Sequence, residues 1–170
     1  MSITPARLSS ITFTTVLLIA TAQLSFHYPL LPERLATHFD AGGRANGWMS
    51  KDGFFVFHVA LLCVFGAVFE LLPRWLGHIP NSLINLPHKD YRLAPERRAA
   101  SLADVADAMD FLGALTLVFF VIMGELTLRA NLLPEPRLGG EIWWLLGGYG
   151  VALLLWIIRL LRRFPRPPAA

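Results

Sequence analysis

Four apolar stretches, at about residues 8–26, 54–72, 108–128 and 142–161, constrain this 170-residue chain more than any other feature. Each is close to the ~20 residues that cross a hydrocarbon core of ~30 Å. Backbone in hydrocarbon has no water to bond, so runs of this length close their hydrogen bonds internally, as helices. The expected fold is therefore an all-α integral membrane protein with four transmembrane helices in a single membrane domain over residues 1–170. Composition agrees. With 55% hydrophobic and 16% charged residues and a mean hydropathy of +0.52, little polar surface is left to coat a soluble domain. The first run has a rival reading as a secretory signal peptide, with Arg7 as its basic start and Ala20-Thr21-Ala22 as a small-x-small cleavage site. The apolar stretch continues past that site, which favours a span.

Orientation follows from the cations. Of fifteen Lys and Arg, ten lie on the side that holds the N-terminal tail, the second loop and the C-terminal end. Five lie in the first and third loops. The richer side is expected to be cytoplasmic, which puts both termini inside, residues 27–52 outside and residues 73–107 inside. The expected compartment is a bacterial cytoplasmic membrane. The basic residues flank apolar runs and form no single stripe, so a pI of 9.5 reads as membrane orientation and argues against nucleic acid. Residues 164–170, basic and proline-rich, read as a disordered tail that can touch anionic lipid. The lone cysteine, Cys63, excludes an intramolecular disulfide and reads as a buried small hydrophobe.

Two polar segments carry the remaining information. Pro32-Glu33-Arg34 and Pro95-Glu96-Arg97 both suit helix starts, with proline at the first position and glutamate at the positive end of the dipole. Residues 41–48, "AGGRANGW", read as tight turns, and Trp48 is expected at headgroup level. Between them, two geometries compete for His38 and Asp40. In a helix through 32–40, His38 shares a face with Leu31, Leu35 and Phe39, and Asp40 points away. In an extended segment, favoured here, His38 and Asp40 project to one side and form a local pair.

The first segment presents Pro29, Pro32, His38, Phe39, Asp40, Gly43, Gly47, Trp48, Ser50 and Lys51. The second presents Asn85, Pro87, Lys89, Tyr91, Leu93, Pro95, Glu96 and Arg98. This pattern resembles the outer-loop module, still of unknown function, of small bacterial membrane proteins related to the sporulation-delaying-toxin immunity proteins. The resemblance covers roughly residues 10–110. It implies a role in protecting the envelope against a peptide toxin, or in sensing one, with His38, Asp40, Trp48, Lys51, Asn85, Lys89, Glu96 and Arg98 as its loop residues. One departure stands out: where the family usually has proline two residues before the histidine, this chain has Ala36.

Polar residues inside the spans give a second class of reading. His58 and Glu125 fall toward the outer ends of their spans, and Glu70 and Asp110 near the inner ends. A charged group at a helix centre costs ~2.5–3.5 kcal/mol, so each needs a partner or water. His58 with Glu125 is the expected outer pair, and Glu70 or Asp110 with Arg74 the inner one. As a cavity these would serve a metal- or proton-linked transporter or membrane enzyme; otherwise they are interhelical glue. Zinc on His38 and Asp40 is conceivable, although no HExxH helix or Cys/His cluster accompanies them. Asp104, Asp107 and Asp110 recur every third residue above Arg97 and Arg98, as on a solvated face with local ion pairs. Gly147, Gly148 and Gly150 form a small-residue patch that suits a neighbouring helix, which makes an accessory subunit of a larger complex a third reading. Trp143, Trp144 and Tyr149 read as lipid or interface anchors. Phosphate loops, nucleophile elbows and dinucleotide fingerprints are absent, which weighs against an enzyme.

Overall fold

The computed structural model describes residues 5–166. Four long helices dominate: α1 (Pro5–His27), α2 (Lys51–Trp75), α4 (Pro95–Ala130) and α5 (Glu141–Arg163), with a one-turn α3 (Lys89–Arg92) before α4. All four are long and apolar enough to cross a membrane, which marks a multi-pass membrane protein. The chain reverses between successive long helices. One end of the bundle therefore carries residues 28–50 and 131–140, and the opposite end carries residues 76–94 and 164–166.

Three of the helices make the core. Val16 and Ala20 of α1, Leu62 of α2, and Leu117 and Val121 of α4 are buried together, with Phe13, Phe65 and Phe120 packed on them. Close approach rests on small residues. A methyl group on Gly66 would overlap the Phe13 ring, and one on Gly113 would meet Phe69. Val16, Ala20 and Leu24 make α1 part of the bundle core, so cleavage after residue 22 would remove two of its central side chains. Cys63 corrects an expectation: it lies on the exposed outer surface of α2, because the core face of that helix passes through Phe54, His58, Leu62 and Gly66.

α5 is peripheral and rests on α4. Tyr149 bonds Thr116 at 3.0 Å and stacks on Phe119, so it is a packing residue and not a lipid anchor. Trp156 Nε1 donates to the Ala108 carbonyl at 2.9 Å. Trp143 and Trp144 face outward, and a methyl group on Gly147, Gly148 or Gly150 would meet nothing within 4 Å among the described residues.

The segment after α1 is not helical. It forms a two-stranded antiparallel hairpin, β1 (Arg34–Phe39) and β2 (Ala45–Ser50). Pro32-Glu33-Arg34 therefore opens a strand, whereas Pro95 does begin a helix, as the first residue of α4. At the far end of the chain, residues 164–166 are docked where disorder was expected. Phe164 is buried, Arg92 lies 5.0 Å over its ring, and the Arg92 guanidinium donates to the Pro165 carbonyl at 2.6 Å. Residues 167–170, the rest of the expected tail, lie outside the described residues.

Candidate functional site: the hairpin cap and the polar groups beneath it

The hairpin is built around Asp40. Its carboxylate accepts from the backbone N–H groups of Gly42 and Arg44, each at 2.9 Å, which closes the turn in the manner of an Asx motif. Gly43 stands at φ +76°, and a side chain there would run into the Leu138 carbonyl, so the turn requires glycine twice over. The segment around His38 is extended, as favoured, yet no local His38–Asp40 pair forms. Asp40 is committed to the turn. The strand pairing also slips, opposing Ala36 to Trp48 and His38 to Gly47, which disturbs the alternation between them. A side chain on Gly47 would strike His38 Cβ, so the glycine makes room for the histidine opposite. His38 and Trp48 both remain exposed. Among the described residues no third metal-type side chain joins His38 and Asp40.

The Asn131 side chain fastens this hairpin to α4. Asn131, just beyond α4 and 3% exposed, accepts from the Ala36 N–H at 2.7 Å and donates to the Ala36 carbonyl at 2.9 Å. It also donates to the Thr127 carbonyl at 2.8 Å. The amide thus replaces a neighbouring strand for one residue of β1, and it fixes that strand to α4. Position 36 therefore calls for a residue that keeps its backbone N–H. A proline there would have no N–H for Asn131 to accept. Sequence reasoning missed Asn131; its one signal was a polar amide directly after an apolar span.

Further fasteners surround it. Leu138 N–H donates to the Gly43 carbonyl at 2.9 Å, and Arg137 reaches the Gly42 carbonyl at 3.3 Å, so the third loop lies along the turn. Lys51, half of the Ser-Lys pair, is a brace. Its ammonium is buried, bonds Glu33 at 2.9 Å and lies 4.6 Å over the Tyr28 ring. Ser50 caps α2 by accepting from Gly53 N–H at 3.1 Å. Beneath the strands, Leu31, Leu35 and Phe54 pack with Leu24 and Leu128. Trp48 stands outside all of this, 47% exposed.

The expected His58–Glu125 pair does not form. The His58 ring stacks on Phe54 and lies against Gly124. Glu125 is the next residue on α4, and the ~100° turn per residue carries it away from α2. Its carboxylate accepts from Arg129 Nε at 2.6 Å and lies 3.8 Å from His27 Nε2. His27 is correspondingly buried, its Nδ1 donating to the Gln23 carbonyl at 2.9 Å. At the other end of the bundle, Arg74 bonds Glu70 at 2.8 Å.

The opposite loop is folded by a second clamp. Arg98, in the first turns of α4, donates to Asn81 Oδ1 at 2.9 Å and to the carbonyls of Gly77 and Ile79 at 3.1 and 2.8 Å. Lys89 donates to the Ser82 carbonyl at 3.2 Å. Asn85 and Glu96 are exposed, the latter in the first turn of α4. Arg97 lies 4.0 Å over Tyr91. Asp104 and Asp107 are therefore not served by Arg97 or Arg98; both accept from Arg163 of α5 at 3.4 Å. Asp110 lines a cavity in this half of the bundle.

Comparison with known proteins returns one finding. Residues 15–64, from mid α1 through the hairpin to mid α2, match the family model described as a domain of unknown function, DUF1648. The match takes in the whole hairpin and stops before residues 85–98. No curated protein and no solved structure matches the chain.

Proposed function

We propose that the chain protects a bacterial cytoplasmic membrane against a membrane-active peptide, or senses one, with the hairpin as the outer contact surface. The loop of residues 76–94 then braces or reports on the inner side. The excess of Lys and Arg at that end supports this orientation. One observation carries the reading. The hairpin is immobilised by Asn131 and Lys51, yet Trp48 and His38 are left outward and uncovered. A connector between two spans needs no such fastening. A recognition surface gains from it, because a pre-ordered backbone and an aromatic anchor lower the entropic cost of binding. The two clamps, Arg98 and Asn131, sit at opposite ends of α4, so one rigid helix joins the contact surface to the inner loop.

The test is deletion of the gene, challenge with membrane-active peptides, and complementation at matched abundance. Wild type restores resistance, and Trp48→Ala and His38→Ala restore it poorly. Unchanged sensitivity on deletion ends the proposal. Orientation is checked separately with a single cysteine at position 46 in a Cys63→Ala chain. An impermeant maleimide labels it from outside intact cells; labelling from the cytosolic face alone reverses the topology.

The open glycine face of α5 favours one further reading, an accessory subunit that packs on a larger complex. A stoichiometric partner that co-purifies with the wild type and is lost on Gly148→Leu would support it.

A further inference from the structure

Asn131 answers one edge of the hairpin and leaves the other open. In an antiparallel ladder, opposed residues alternate between pairs that exchange both hydrogen bonds and pairs that exchange none. Lys51 N–H donates to the Glu33 carbonyl at 2.9 Å. Counted from that bond, Leu35 and Met49 exchange hydrogen bonds, and Ala36 and Trp48 do not. The Asn131 amide agrees, since it takes both backbone groups of Ala36. Trp48 therefore turns its own N–H and carbonyl away from β1, along the outer edge of β2. Among the described residues no hydrogen bond answers either group, and Trp48 is exposed. Such an edge is a template for a further strand.

The turn end of the same edge already carries one in miniature. Arg137 bridges Arg44 in the antiparallel sense, and Leu138 N–H donates to the Gly43 carbonyl at 2.9 Å. Beyond that bridge, among the described residues, no strand pairs with β2 on this side. The charges beside it have one uncommitted sign. Glu33 is taken by Lys51, Asp40 by the turn and Asp52 by the Tyr28 hydroxyl. Arg44 and Arg137 are exposed and directly opposed, and among the described residues neither makes an ion pair. Glu135, two residues from Arg137, pairs with neither. Like charges opposite one another across strands are unfavourable, so a carboxylate between them is favoured.

We propose that the outer edge of β2 takes up an extended peptide as a third strand, its backbone bonding Trp48 and an acidic side chain meeting Arg44 and Arg137. This rests on the peptide-contact reading of the hairpin and gives that peptide a form: extended, and acidic at the end nearest the turn. Main-chain bonds supply affinity in such additions, and side-chain contacts supply selectivity.

The probe is a random dodecapeptide library displayed on phage, selected on the full chain in dodecyl maltoside with empty micelles as counter-selection. The peptides recovered carry Asp or Glu toward one end, and at saturation they slow hydrogen exchange at residues 46–50. Methylating the peptide nitrogen that pairs with Trp48 lowers affinity about tenfold, the scale of one lost hydrogen bond, while its sequence neighbours, which point away, tolerate the methyl group. Arg44→Gln and Arg137→Gln each lower affinity severalfold at low salt. Trp48→Pro removes the outward N–H without touching the ladder and weakens binding further. Should that variant fail to fold, the methylated peptides make the same test on the unaltered chain. Recovery of no peptide, a methylation series without effect, or indifference to both arginine substitutions overturns the proposal. So does a dimer crosslinked through Asn46→Cys in a Cys63→Ala chain, which would give the edge to a second copy. Peptides that bind as described, with sensitivity unchanged on deletion of the gene, would end the protective role and leave the edge standing; protection without such binding would end the edge alone.

Discussion

The two ends of the bundle face the same difficulty and answer it with different chemistry. Each must satisfy irregular backbone close to a membrane surface, and each uses one side chain from α4 or its C-terminal edge. At the hairpin end the clamp is a neutral amide, buried, that both donates to and accepts from the backbone of Ala36. At the opposite end it is a guanidinium, half-buried, that only donates, to two carbonyls and the Asn81 side chain. The difference follows from what each loop lacks. A strand edge offers a donor and an acceptor together, which an amide can match. A run of short 3₁₀ turns leaves carbonyls pointing outward, which a multi-donor cation can collect. The buried neutral clamp should be the more costly to lose, because the groups it abandons have no water to turn to.

Four substitutions put that comparison to the test, in order of expected effect. Asn131→Ala strands the Ala36 N–H and carbonyl, and should destabilise by about 3 kcal/mol, the scale of two buried polar groups left unsatisfied. Thermal unfolding in detergent reads the loss, and hydrogen exchange should rise across residues 34–50 while residues 76–94 stay protected. Ala36→Pro removes one of those bonds and leaves the other, at about 1–2 kcal/mol. A stabilising effect of that proline would break the account of position 36. Arg98→Ala should cost about 1 kcal/mol, since its site is partly solvated. Exchange should then rise in residues 76–94 alone. An Arg98 loss as large as that of Asn131 would erase the contrast between the clamps. Trp48→Ala, at an exposed position, should change stability by no more than about 0.5 kcal/mol, and its effect should appear in peptide protection.

The residues of the candidate site were unevenly legible. Gly43, within the glycine-rich residues 41–48, announces a turn, whereas Asp40, expected beside His38, proves to close that turn from two and four residues away. The Glu70–Arg74 pair is likewise local, one helical turn apart. Asn131 acts on a backbone 95 residues away, and nothing in its neighbourhood indicates that target. His58 and Glu125 looked paired because they share a depth, but helix rotation gives His58 to Gly124 and Glu125 to Arg129 and His27. Lys51 reads as a binding residue until Tyr28 and Glu33 are seen to enclose it.

The number and order of the four long apolar helices were determined by sequence alone, since hydrocarbon forces a backbone to bond within its own segment and so makes the span a local property. Which side chains meet across segments was decided only in three dimensions. A rotation of one residue, or a strand slip of one position, redirects a group without altering any local pattern, and the hairpin, the clamps and the cavity all depend on those angles.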